Sequence, residues 1–224
     1  MSRCVGAGIV AGMDVVVVGG HGKVGQRLLR LLAERGDTAR GVIRNPDHAA
    51  DLEALGAVPV VCDIEREELT GAVEGADAVV FAAGAGPGSG AERKRTVDYA
   101  GAVKLIDGAK ANGVSRYLIV SAIGANRPER WSDEMRPYYE AKAEADAAVE
   151  RSGLDHTIVR PGFLTDDDGT GLVEIAPTLD RSGSIPRDDV ALVLADALPA
   201  ENTFGKSFDL LDGVTPAADA VRAL

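Results

Sequence analysis

Short runs rich in β-branched residues recur along the chain: DVVVVG (14–19), TARGVI (38–43), VPVVC (58–62), DAVVFA (77–82), RYLIVS (116–121), HTIVR (156–160) and KSFDLL (206–211). Between them, apolar residues repeat at helical spacing over about 24–35, 48–55, 66–73, 92–112, 137–151 and 188–198, and a short last helix is expected over about 216–223. Strands alternating with helices in this way predict an α/β fold, a doubly wound and mostly parallel sheet covered on both faces. No internal repeat and no long linker interrupts the pattern. Residues 13–224 therefore read as one domain, preceded by a tail of residues 1–12.

The first strand runs directly into a glycine pattern. VVVVGGHGKVGQRLLRLL sets Gly19, Gly22 and Gly25 three residues apart, and a helix carrying Val24, Leu28, Leu31 and Leu32 follows. Glycines there permit a tight turn, bring backbone close to a pyrophosphate and let the helix pack on the strand, while the helix N-terminus offers N–H donors and positive potential. The segment from Gly19 through Lys23 and Val24 to Gly25 is thus the expected phosphate site of a dinucleotide. Gly6, Gly8 and Gly12 imitate the spacing, but no strand precedes them.

Three further positions extend this site along the sheet edge. The second strand ends in Arg44, where a guanidinium suits a 2′-phosphate better than the carboxylate usual for NAD, so NADP is expected, with NAD as the alternative. Asp63 follows the third strand and either bonds the adenine amino group or caps the next helix. After the fourth strand, Ala82, Ala83 and Gly84 are small enough for a cofactor to cross the edge. His21 reads as a loop residue.

Composition removes several classes of function. Hydrophobic residues make up 46% and charged residues 26%, ordinary for a globular chain, and the formal net charge of −11 disfavours nucleic acid and anionic membranes as partners. No stretch approaches the roughly 18 apolar residues of a membrane span. Cys4 and Cys62 match neither a disulfide framework nor a metal-ligand spacing, so no metal is expected and a reducing cytoplasm is the simplest setting. The acidic turn TDDDGTG, with Asp166, Asp167 and Asp168, reads as solvated.

RPYYEAKAEAD (136–146) places Tyr138 one turn before Lys142, on a stripe that continues through Ala145 and Val149 towards the core. Taken alone, this is either a catalytic pair or a snorkelling lysine packed against a tyrosine. With GGHGKVG, VDYAGAVKLIDGAKANGVSRYLIVSAIGA, YYEAK, GLDHTIVRPGFLTDDDGTG and SIPRDDVA, the chain from Met13 to Leu224 resembles the short-chain dehydrogenase/reductase superfamily, in its atypical, epimerase-like and NmrA-like branch.

The resemblance implies a Rossmann fold, NADP binding and a site of serine, Tyr-x-x-x-Lys and asparagine. By position these correspond to Ser121, Tyr138 and Lys142, with Asp98 standing where asparagine is usual. It also implies that Lys142 holds the nicotinamide ribose and draws the Tyr138 phenol towards neutrality, and that the RPG turn with Pro161 carries backbone past the nicotinamide. Trp131, Met135 and Phe163 are candidates for an apolar wall. The expected activity is hydride transfer to or from a small carbonyl, quinone or flavin-like substrate by a monomer or homodimer. A non-catalytic dinucleotide-binding redox sensor is the alternative.

Overall fold

The structure, a computed structural model, describes residues 12–86 and 88–224. Residues 1–11 of the expected tail, with Cys4, Gly6 and Gly8, lie outside the described residues. All the strands expected from the sequence form. They are β1 (Asp14–Val18), β2 (Thr38–Ile43), β3 (Val58–Val61), β4 (Ala78–Phe81), β5 (Arg116–Val120), β6 (Asp155–Pro161) and β10 (Lys206–Asp212). These strands run in the parallel order β3-β2-β1-β4-β5-β6-β10, and antiparallel β8 (Leu172–Ala176) and β11 (Thr215–Pro216) extend the sheet beyond β10. A separate ribbon pairs β7 (Phe163–Thr165) with β9 (Ser184–Pro186).

The sheet is buried on both sides, which explains the unbroken valines of β1. Val15 and Val17 face one core, shared with Leu28 and Leu32 of α1 (Lys23–Arg35) and with Val190 and Leu194 of α6 (Arg187–Ala197). Val16 and Val18 face the other, shared with Leu105 of α4 (Gly101–Ala111) and with Ala145 and Val149 of α5 (Arg136–Glu150). The order of strands reverses between β1 and β4. Loops leaving the C-terminal ends of those two strands open a crevice, the place where open α/β sheets bind ligands.

Two expected helices differ. No helix forms over 66–73; Leu69 and Val73 are fully buried on a series of turns instead. Gly71 and Gly75 weaken a helix there, and Gly108 of α4 lies so close to the Leu69 backbone that a Cβ would sit 3.2 Å from it. The long helix expected over 92–112 forms in three parts: α3 (Ala91–Arg93), a π-helical segment (Lys94–Ala100) and α4. The wider turn brings neighbours Val97 and Asp98 both inward. The remaining helices are α2 (Ala49–Glu53) and α7 (Ala217–Arg222). Among the described residues no helix is long and apolar enough to cross a membrane.

Candidate active site

At the phosphate loop the chain leaves β1 through Gly19, whose φ of 87° belongs to the left-handed region. A Cβ on Gly19 would stand 2.7 Å from the Ala83 nitrogen, so the loops after β1 and β4 approach backbone to backbone. Gly25 is equally constrained: its Cβ would lie 2.3 Å from the Gly19 carbonyl oxygen. α1 begins at Gly22 with no side-chain cap and no acidic residue in its first turn. Its N-terminal donors and dipole are therefore left to an external anion. The loop fits a dinucleotide phosphate.

Beside it lies an open pocket of about 280 Å³, lined among others by Gly19, Gly22, Arg44, Asp63, Glu65, Ala83, Gly84 and Arg93. Asp63 accepts from the Glu65 N–H at 3.1 Å and receives no helix to cap, so it organises the turn after β3. Arg44 reaches Glu65 Oε2 at 3.4 Å. His21 is held as a loop residue by Asp51 at 2.8 Å and stacks on His48. The Val24 side chain belongs to the core, which leaves only its backbone for a phosphate. Lys23 points away to an ion pair with Asp166, which also accepts from Arg187 at 2.8 Å. The acidic turn is thus partly charge-paired, and the described residues contain no cluster of ligands suited to a metal.

Along the same edge, Ser121 follows β5 and is buried, as are Asp98 and Lys142. The Lys142 ammonium lies 3.1 Å from Asp98 Oδ1 and donates to the Val120 carbonyl at 3.1 Å, the residue before Ser121. Asp98 Oδ2 accepts from the Ala85 N–H at 3.0 Å. This binds the loop after β4 to α5. Burial alone would lower the Lys142 pKa, but Asp98, with Tyr138 and Asp146, more than offsets it and the ammonium is held above its ordinary value.

The phenol behaves otherwise than expected. Burial pushes the Tyr138 pKa up, Lys142 pulls it back, and Asp98 pushes it up again, leaving it above its ordinary value. The carboxylate that compensates Lys142 cancels much of the positive potential by which a lysine stabilises phenolate. Tyr138 accordingly stays protonated at neutral pH.

A second buried layer supports this one. Asp146, one turn beyond Lys142, pairs with Arg160 of β6 at 2.9 Å. Burial raises the Asp146 pKa while Arg160 and the nearby Ser121 hydroxyl oppose the shift. Ser121 Oγ and Asp146 Oδ1 are nevertheless buried without a well-formed hydrogen bond to protein. Beyond Arg160, Asp209 of β10 pairs with Arg127 at 3.1 Å. Pro161 ends β6, and at Gly162 a Cβ would strike the Gly183 carbonyl at 2.5 Å, so the RPG turn is tightly packed.

The three apolar candidates separate. Phe163 is 79% and Met135 41% exposed, whereas Trp131 donates to the Gly124 carbonyl at 2.8 Å and stacks on Tyr139. The sequence reading missed Glu65, Arg93, Asp146 and the pairing of Asp166. Only Asp146 carried a signal, its i+4 spacing from Lys142.

With this geometry, comparison with known proteins decides the family. The chain belongs to the NAD(P)H-binding family, whose pattern matches residues 19–201. It is an atypical short-chain dehydrogenase/reductase-like member with a Rossmann fold. A Bacillus subtilis relative, YhfK, described as an uncharacterized sugar epimerase, is 41% identical over 215 residues, covering 95% of this chain and 100% of the relative. A solved structure from Bacillus halodurans, described as an NAD-dependent epimerase/dehydratase, is 40% identical with a TM-score of 0.91, covering 95% of this chain and 100% of that one. ChuY of Escherichia coli O157:H7, an anaerobillin reductase, is 25% identical with a TM-score of 0.77, over 89% of this chain and 97% of its own.

Proposed function

We propose that the protein is an NADP-dependent reductase that delivers a proton from Tyr138 to the oxygen of a small carbonyl, quinone or flavin-like substrate. The observation that carries this reading is the buried Asp98–Lys142 pair beside a tyrosine kept in its acid form. When bound, the nicotinamide nucleotide supplies the hydride. A protonated phenol is the form needed to give a proton to the oxygen of a reduced carbonyl. Ser121 orients the substrate oxygen through its hydroxyl. Lys142 holds the nucleotide ribose, and Asp98 keeps Lys142 charged. Gly19, Gly22, Gly25, Ala82, Ala83 and Gly84 make room for the nucleotide, with Arg44 on the 2′-phosphate.

The reductase in the ChuY structure supports reduction. The free, buried Cys62 thiol supports a reducing cytoplasm as the setting. A second reading, a redox sensor without turnover, draws on Asp98, which replaces a side chain able to donate with one that only accepts. The two are separated by following NADPH oxidation with menadione, phenanthrenequinone, aryl ketones and FMN. Reduction of one of these by wild type, falling by about 10²–10⁴-fold in Tyr138→Phe with NADPH affinity retained, is the expected result. NADPH binding with no reduction across the panel favours the sensor.

A further inference from the structure

The pocket beside the phosphate loop contains a charge arrangement that the family pattern does not explain. Arg44, just after β2, and Arg93 on α3 both reach Glu65. Arg44 Nη1 lies 3.4 Å and Arg93 Nε 3.6 Å from the same oxygen, Glu65 Oε2. The other oxygen, Oε1, accepts from Thr96 at 2.8 Å. All three charged residues line the pocket. The Glu65 side chain is 26% exposed, whereas those of Arg44 and Arg93 are 59% and 46% exposed. A fixed carboxylate therefore sits between two guanidinium groups that keep most of their donors free.

We infer that Arg93 is a second arm of the 2′-phosphate site and that Glu65 is its built-in competitor, an anion occupying the arginine pair when no phosphate is bound. This rests on the assignment of Arg44 to an NADP phosphate and deepens it. A guanidinium has five N–H donors, and each arm spends little on Glu65 at these separations. A phosphate entering between them meets two charge-assisted partners. It also meets the Glu65 carboxylate, whose repulsion opposes it. For a cofactor with a free 2′-hydroxyl the same carboxylate is an acceptor. Glu65 thereby narrows the preference for NADP over NAD that the two arginines create.

Equilibrium titration with NADPH and NADH tests this without a known substrate. Arg93→Ala and Arg44→Ala should each weaken NADPH about tenfold and leave NADH unchanged; Arg93→Lys should recover part of the loss. Glu65→Gln keeps an acceptor for Thr96 while removing the charge, and should tighten NADPH by about three- to tenfold without tightening NADH. If Arg44→Ala weakens NADPH selectively but Arg93→Ala does not, the phosphate has one arm and the inference is wrong. A Glu65→Gln variant that binds NADPH less well, or both cofactors equally better, removes the competitor role. Equal wild-type affinities that ignore both arginine changes would instead overturn the NADP assignment, and the inference with it.

Discussion

The two ends of the crevice are built by opposite means. At the phosphate loop the working parts are backbone, and the sequence contributes by leaving side chains out at Gly19, Gly22 and Gly25. At the Tyr138 end they are buried charges, placed in opposed pairs: Asp98 with Lys142, Asp146 with Arg160, Asp209 with Arg127. The first end offers an anion helix and amide dipoles that need no titratable group. The second sets the protonation of one phenol by withholding water and balancing charge. One should tolerate no added atom and the other no lost partner.

The largest expected effect lies at the charged end. Arg160→Met leaves Asp146 buried without its partner and should destabilise the fold by about 3–5 kcal/mol in urea denaturation at neutral pH. The sign with pH follows from the carboxyl, whose folded pKa is raised above the ordinary 3.8 and would rise further without Arg160. The folded state then binds the proton more tightly, so the penalty is smallest below that ordinary value and grows as pH rises through the raised one. The double change Asp146→Leu with Arg160→Met removes both charges and should recover most of the loss. A double variant as unstable as the single would show that shape, not charge, is what this layer supplies.

At the backbone end, Gly25→Ala forces a methyl against the Gly19 carbonyl, 2.3 Å away. Relief requires the loop itself to move, at a cost of about 1–3 kcal/mol. Thermal unfolding should show that smaller loss, while NADPH affinity falls far more steeply than in any charged-end variant. Unchanged affinity would mean that α1 and its loop do not hold the phosphates.

The same contrast decides what could be read from sequence. Gly19, Gly22 and Gly25 were legible because a steric requirement fixes both residue type and spacing, and the strand and helix around them are long enough to register. The parallel sheet was legible because β1 and β4 are apolar on both faces. Charge pairing is different. Asp98 and Lys142 lie 44 positions apart in the numbered chain, and Arg93 and Glu65 lie on separate loops, so no local pattern links them. The direction of the Tyr138 shift escaped for the same reason, since it depends on the balance of burial, Lys142 and Asp98 in space. The helix expected over 66–73 failed because its apolar spacing is real but Gly71, Gly75 and the crowding at Gly108 favour turns.

Asp98→Asn removes the charge while keeping the shape of the side chain and should act on the pH profile more than on the fold. Asp98 raises the Tyr138 pKa, so removing its charge lowers that value. Activity that needs the phenol as an acid is present below its pKa and lost above it. The alkaline limb of kcat for whichever substrate is reduced should therefore move to lower pH. A limb that stays in place, or moves up, would detach Asp98 from the proton-transfer step.

The smallest effect is expected where the two ends meet the exposed turn after β7. Asp166 bridges Lys23 at the start of α1 and Arg187 at the start of α6, and both cations pull its carboxyl below the ordinary value. The pairing is open to solvent, so water and salt weaken it and Asp166→Ala should leave thermal unfolding unchanged within error. Its consequence is electrostatic. Without Asp166, Lys23 and Arg187 are uncompensated beside the uncapped end of α1, and NADPH should bind a few-fold more tightly at low ionic strength. That gain should vanish as salt is raised towards about 1 M, where the Debye length shrinks to about 3 Å. A gain insensitive to salt would point to a contact rather than a field. Weaker binding would mean that Asp166 positions Lys23 for the nucleotide instead of competing for it.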